Sequence, residues 1–358
     1  MSSPRAPPES MEIDPTPTSP KASSPTTGRQ LDNLDRLTAP IEVTLQIPHS
    51  VTDTLSLKSS IFNYKWEYGR RYHAFEEGTY WAPNDERQQE AEDMVHEMYR
   101  IVLEGRLTLA PDENLQHVLD VGCGTGVWAI VAVRSEFADE HPEVEVIGVD
   151  LSPIQPPFVP PNCRFEVDDI NKRWTYPKNY FDLVHIRSMS GCVPDWVAFY
   201  KKVLKHLKPG AWIEHVELSG VAQCDDDTLP PGSAQRRWIQ VFKQIGEAIG
   251  RPFDIAETAG DLIREAGFVN VHEWRLKIPI GTWPKDKELK QWGAWNRLFL
   301  LQGLEGFSIK GLTDALGWSY EQAQLYLAEL RKEVTDDGIH SYIDMLIIDA
   351  QKADETTA

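Results

Sequence analysis

The chain has 358 residues, 41% of them hydrophobic, and 36 Lys and Arg against 55 Asp and Glu give it a formal charge of −19. That much apolar side chain supports a sizeable core and excludes disorder of the whole chain. The acid excess argues against direct nucleic-acid binding, because phosphate backbones are held by Lys and Arg patches that release counterions.

Residues 1–30 carry seven prolines and ten Ser or Thr with almost no large apolar side chain, so they are expected to form a disordered tail. They contain no apolar run of the kind a secretory leader has, which points to cytoplasm or nucleus. Residues 31–110 read as an N-terminal extension with cap helices. Aromatic residues crowd 61–81, and Asn84 or Asp85 can cap a helix to about Leu103, with Met94, Val95, Met98, Tyr99 and Val102 at helical spacing. Residues 111–280 alternate short β-type runs (117–121, 144–149, 164–167, 181–186, 211–217 and 269–278) with helices at 126–136, 193–207, 234–248 and 255–266. This alternation means a parallel α/β sheet, and Gly210 and Gly267 read as helix-to-strand turns. Residues 281–337 form a helical cap inserted into the sheet's last hairpin, setting Trp283, Trp292, Trp295, Phe299 and Trp318 over one edge. Residues 338–353 hold the last strand, and 354–358 are a tail.

The longest apolar run, Val127 to Val133, is far short of the roughly 18 to 20 residues of a bilayer-spanning helix, so no membrane association is expected. Cys123, Cys163, Cys192 and Cys224 lack the spacing of a zinc site and the density of a disulfide scaffold, so they read as free thiols and no metal is expected.

The strongest motif is Val118-Leu-Asp-Val-Gly-Cys-Gly-Thr-Gly126, a strand that ends in a glycine turn and enters a helix. Its spacing is GxGxG, whereas a dinucleotide fingerprint reads GxGxxG with the third glycine at the pyrophosphate. Asp120 suits a cationic amino-acid moiety, which suggests S-adenosylmethionine over a nicotinamide. Downstream, Gly148-Val-Asp150 ends the second strand with a carboxylate able to accept two hydrogen bonds from a ribose diol. After the third, Asp168-Asp-Ile170 offers an acid for an adenine amino group, with Asp169 preferred over Asp168 and Ile170 against the purine. Taken alone, each acid would more often be a cap or turn residue, but their order on successive strand ends carries the reading.

These residues resemble the class I S-adenosylmethionine-dependent methyltransferases. Glu67-Tyr-Gly-Arg-Arg-Tyr-His-Ala-Phe75, Val127-Trp-Ala-Ile130, Asp150-Leu-Ser-Pro-Ile-Gln-Pro-Pro157 and Pro209-Gly-Ala-Trp-Ile-Glu-His-Val-Glu217 are similar to the LaeA-like fungal methyltransferases. The run His185-Ile-Arg-Ser-Met-Ser-Gly-Cys-Val193, with Arg187 where the family's namesake has Gln, marks a paralogue. The resemblance implies a Rossmann-like seven-stranded sheet with helices on both faces, a helical cap from the N-terminal segment and an insertion before the last strand. It also implies cofactor contacts from Asp120, Gly122, Gly124, Asp150 and Asp169; Cys123, Thr125, Leu151, Ile170 and Arg187 are expected to contact the cofactor beside them, and Tyr72 is a candidate to lie over the sulfonium, in a stretch whose aromatics more often pack a core. Velvet-type protein partners and a link to secondary metabolism follow from the same resemblance.

Methyl transfer needs positioning and exclusion of water, and a base only where the acceptor loses a proton. Arg187, His215 and Glu217 are the catalytic candidates, with Tyr72 and His73 near the site; His215 is equally suited to a buried structural role, and His185 reads as a core histidine. A regulatory methyltransferase that acts on or with proteins is the first reading, favoured by the N-terminal tail and the LaeA-like segments; a tailoring enzyme whose small-molecule acceptor is enclosed by the Trp-rich cap is the alternative, and a cofactor-binding scaffold without turnover is the third reading.

Overall fold

The computed structural model describes residues 61–132 and 144–354. The expectations for residues 1–30, for the extension up to 60, for the glycine-turn helix beyond Ala132 and for residues 355–358 fall outside the described residues. A hairpin not foreseen from the sequence comes first, β1 (Lys65–Glu67) against β2 (Arg70–Tyr72). Helix α1 (Glu86–Val102) follows, capped by Asp85, whose Oδ1 accepts from Gln88 N at 3.0 Å. Asp85 also takes a bidentate pair from buried Arg70, at 2.6 and 2.8 Å, which fixes the hairpin on the helix start.

The central sheet has seven strands: β3 (His117–Val121), β4 (Glu145–Asp150), β5 (Cys163–Val167), β6 (Phe181–Arg187), β7 (Leu207–Leu218), β8 (Val269–Pro279) and β9 (Tyr342–Gln351). Their order is β5-β4-β3-β6-β7-β9-β8. The first five are parallel, whereas β9 runs antiparallel to both β7 and β8, as insertion of the cap into the sheet's last hairpin requires. The inserted helices return the chain into the β8–β9 hairpin, and that return reverses the strand.

Helices cover both faces, and the strand residues show why. Val118, Val146 and Leu183 pack with Trp128 of α2 (Val127–Ala132). Their neighbours Leu119, Ile147 and Val184 face the opposite way, onto α3 (Trp196–His206) and α5 (Ile255–Ala266). Hydrophobic on both sides, these strands read as continuous apolar runs, and each such buried side chain contributes about 1.5–3 kcal/mol. Gly267 ends α5 in the left-handed conformation at φ +104°, as the sequence suggested. Gly210 does not make a helix-to-strand turn. It lies inside β7 at φ +77°, where pairing with β6 shifts register between Phe181 and Leu183. Its N–H donates to Lys352 O and its carbonyl accepts from Gln351 Nε2, so the glycine forms a bulge held by β9 and the residue after it.

The cap consists of α4 (Ala234–Ile249), α6 (Lys287–Lys310), a π turn (Gly311–Ala315) and α7 (Tyr320–Val334). Helix α6 packs along α1, and α7 along α4 and α6. No disulfide joins any of the four cysteines, no group of residues among those described has metal-ligand geometry, and no described helix is long and apolar enough to cross a membrane.

Candidate cofactor and acceptor site

At the carboxyl ends of β3, β4 and β6 lies a cavity of about 270 Å³. The glycine turn floors it: Gly122 N and Cys123 N both donate to Val149 O, which ties the turn to the end of β4. A side chain at the first glycine is forbidden twice over. Gly122 sits at φ +66°, and a Cβ there would lie 2.2 Å from Met189 Sδ. Gln155 braces the turn from outside, donating to Gly124 O at 2.7 Å.

Gly122, Cys123, Gly124, Thr125, Asp150, Leu151, Ile170, Asp120 and Arg187 all line this cavity, so the structure brings together nearly all the residues singled out from the sequence. Asp120 is 3% exposed, and its Oδ2 has no hydrogen-bond partner among the described residues. Burial raises its pKa, while His185 and Arg187 act in the opposite direction. A buried carboxylate oxygen left open toward a cavity fits a cationic ligand group, which is what the ammonium of S-adenosylmethionine supplies. Asp150 accepts from Gly124 N at 3.0 Å and Ser152 N at 2.8 Å, and each oxygen keeps a second lone pair for a ribose hydroxyl.

Two of the expected cofactor residues do not line the cavity. Asp169 turns away to accept from Asn171 N at 2.9 Å, and Asp168, passed over in the sequence reading, lines the wall in its place. Tyr72 is buried in the N-terminal hairpin with Lys310 Nζ 4.3 Å from its ring centre, so its cation partner is a lysine of α6. His73 is likewise engaged within its own segment, donating to Phe75 O and accepting from Tyr80 N.

Among the three catalytic candidates, Arg187 and Glu217 line the cavity and His215 does not. His215 stands behind Glu217, donating from Nε2 to Glu217 Oε1 at 3.0 Å and accepting at Nδ1 from Tyr200 at 2.7 Å, with Trp196 stacked on its ring. These bonds hold it against the Glu217 carboxylate. His185 is a core histidine, stacked on Trp128 at 3.9 Å and bonded to Glu214 at 3.0 Å. Arg187 lies 5.0 Å over the Tyr99 ring and donates to His96 Nδ1 at 3.2 Å. Burial, then the charge of Arg187, lowers the pKa of His96 to about 3, so the imidazole stays neutral and accepts.

The sequence reading missed Gln88, Glu92 and Val95, which α1 presents to the cavity at a spacing of four and three residues. A carboxylate inside the apolar stripe of that helix was the available signal. Glu92 Oε2 has no partner among the described residues, and a Cβ on Gly124 would lie 2.7 Å from it. Burial, then the Asp150 charge, raises the Glu92 pKa from 4.5 to about 8. With the folded value above the unfolded one, Glu92 lends stability that is complete below about pH 4.5 and lost as pH rises through about 8. The ligand-free protein is therefore expected to melt at lower temperature at pH 9 than at pH 7. S-adenosylmethionine binding should strengthen over the same interval, because an ionised carboxyl then faces a cationic ligand. Scanning fluorimetry and calorimetry at pH 7, 8 and 9 check both slopes. Retention of both in Glu92→Gln would remove Glu92 from the account.

The second half of the cavity is apolar. Trp81, Trp238, Phe242, Phe253, Phe299 and Phe307 wall it, with Trp81 Nε1 donating to Ser190 O at 3.0 Å to hold the entry segment, the stretch between β2 and α1, against the loop after β6. Of the cap aromatics expected over the edge, Phe299 alone reaches this space. Trp292, Trp295 and Trp318 pack into the cap's own core, and Trp283 donates to Ser341 O.

Strand order, glycine turn and strand-end acids together define a class I methyltransferase with S-adenosylmethionine as its cofactor. The chain belongs to the methyltransferase domain family, which matches residues 94–273. It is 39% identical over 316 residues to the methyltransferase pytC of Aspergillus terreus, covering 87% of this chain and 96% of that one. It is 37% identical over 293 residues to the secondary metabolism regulator LAE1 of Cochliobolus heterostrophus, covering 80% and 94%. Identity to the protein-methionine methyltransferase laeA of Emericella nidulans is 34% over 291 residues, covering 80% and 76%. The chain is thus a LaeA-like methyltransferase and a paralogue within that group.

Proposed function

We propose that the acceptor is a small molecule with an apolar body, methylated in the chamber between the glycine turn and the cap. The observation that supports this reading is the apolar wall itself: six aromatic side chains from the entry segment, α4, the loop before α5 and α6 converge beside the cofactor residues. Small-molecule sites have this character, with few polar groups set in apolar walls. Asp120, Asp150 and the glycine turn hold the cofactor, with Asp168 and Ile170 on the same side. The bound cofactor supplies the electrophilic methyl group. Glu217 lines the cavity, and its carboxylate supports a role as the base where the acceptor must lose a proton. The chamber walls exclude water and orient the acceptor.

A second reading is favoured by kinship: relatives at 34–37% identity are secondary metabolism regulators, one of them a protein-methionine methyltransferase. On that reading the chain acts on or with proteins, velvet-type regulators among them, in nucleus or cytoplasm. One experiment separates the two. The purified chain is incubated with methyl-labelled S-adenosylmethionine and an extract of the organism that produces it, and label is partitioned between protein and extractable small molecules. Label in a small apolar compound is the expected result. Label confined to protein would overturn the small-molecule reading in favour of the second.

A further inference from the structure

Beside the chamber lies a smaller cavity of about 50 Å³, and Ser219, Gly220, Trp238, Leu300 and Ile343 line both. Apart from those shared residues, its walls are Ala222, Ile280, Leu304, Leu330, Val334 and one polar side chain, Gln235. Gln235 is 2% exposed, and neither Oε1 nor Nε2 has a hydrogen-bond partner among the described residues. A buried polar group left unpaired destabilises the fold that holds it, so such an amide calls for a reason.

The fold supplies none. The start of α4 is held by main chain: Glu333 of α7 accepts from Ala234 N at 2.8 Å and from Gln235 N at 2.9 Å, whatever side chain stands at 235. Ser219, the other polar wall residue, is already engaged, donating to Glu257 at 2.6 Å and accepting from Val221 N. Water is a poor answer as well. The space admits it, but a buried water needs two to four polar partners, and the remaining walls are apolar.

We propose that this annex receives the polar end of the acceptor, and that Gln235 recognises there a group presenting a hydrogen-bond donor and an acceptor side by side, as the cis-amide edge of a lactam does. One amide pairs both atoms of another, while the apolar body of the ligand remains in the chamber between Trp238 and Leu300. This inference rests on the small-molecule reading above. A site built this way discriminates strongly, because an analogue without the matching groups leaves the buried amide unpaired.

The test uses two bicyclic probes and the full chain saturated with S-adenosylhomocysteine. Calorimetry compares 2-quinolinone, which carries the cis-amide edge, with N-methyl-2-quinolinone, which has lost its donor. The expected result is at least tenfold tighter binding of 2-quinolinone, a preference that falls to near unity in Gln235→Leu while affinity for S-adenosylhomocysteine is unchanged. Gln235→Leu should also melt at or above the wild-type temperature, since it removes an unpaired amide; a marked drop would show the amide to be structural and overturn the proposal. Equal affinities in the wild type, or a preference that survives in Gln235→Leu, would overturn it too while leaving the apolar chamber as the acceptor site. Failure of both probes to bind a protein that still binds S-adenosylhomocysteine counts against the annex and the small-molecule reading together.

Discussion

Asp120→Asn is expected to weaken S-adenosylmethionine binding at least thirtyfold and, in the same protein, to raise the melting temperature without ligand. The two effects have one cause. Asp120 stands at the end of β3 with Oδ2 unpaired, and burial opposes its ionisation. In the empty protein it is a liability: with a folded pKa above the unfolded one, its contribution to stability is lost as pH rises through the folded value. Asparagine keeps the shape and removes the charge, so the apo protein should gain about 1 kcal/mol, or roughly 2 °C for a domain of this size. With a cationic ligand bound the sign reverses, because the carboxylate then has its partner. Removing one member of a buried charge pair costs about 2 kcal/mol or more, which sets the thirtyfold lower limit. Calorimetry with S-adenosylmethionine and thermal melts of the ligand-free protein measure the two arms. If affinity were unchanged, the ammonium would have to lie elsewhere; if the apo protein were strongly destabilised, Asp120 would have a structural partner after all.

The half of the cavity around Asp120 is legible in the sequence because its residues lie within a few positions of strand ends. There glycine spacing and an acid already state what the backbone does: Gly122 has a positive φ and a Met189 sulfur where a side chain would go. The choice between Asp168 and Asp169 was beyond that logic. Both follow β5, and what separates them is a turn in which Asp169 accepts from Asn171 N. Tyr72 took the more common of its two expected roles, packing. An aromatic beside a methyltransferase motif suggests a cover for the sulfonium, but the β1–β2 hairpin, fixed by Arg70 on Asp85, carries the ring to Lys310. The acceptor half left little trace. Trp81, Trp238, Phe253 and Phe299 come from four separate stretches of chain, and no periodicity within any one of them marks the face that α4 and α6 bring over the sheet. The cap aromatics of the insertion stood out by composition, yet most of them fill the cap's own core, because a helix pair returning through a hairpin must first bury itself.

Glu217→Gln is expected to lower methyl transfer by about a hundredfold or more, the usual contribution of a positioned base, while leaving cofactor affinity and fold intact. The reason for choosing glutamine lies in what Glu217 already holds. Its Oε1 accepts from Met189 N at 2.5 Å and from His215 Nε2, and its Oε2 accepts from Ser190 Oγ at 3.1 Å. Glutamine can keep its oxygen toward Met189 and His215 and turn its amide nitrogen to the Ser190 hydroxyl, which accepts as readily as it donates. The loop after β6 therefore stays in place, and only the capacity to take a proton is lost. Alanine would be a poor substitute: it strands the Met189 N–H in a buried site, an omission worth about 1–3 kcal/mol, and loosens the same loop that meets Trp81 and the glycine turn. Single-turnover transfer of labelled methyl, with calorimetry of S-adenosylhomocysteine beside it, separates the two roles of the residue. A Glu217→Gln protein that transfers at the wild-type rate would mean that the acceptor arrives already deprotonated or needs no base. Glu217 would then serve, with His215 and Tyr200 behind it, to anchor the loop after β6.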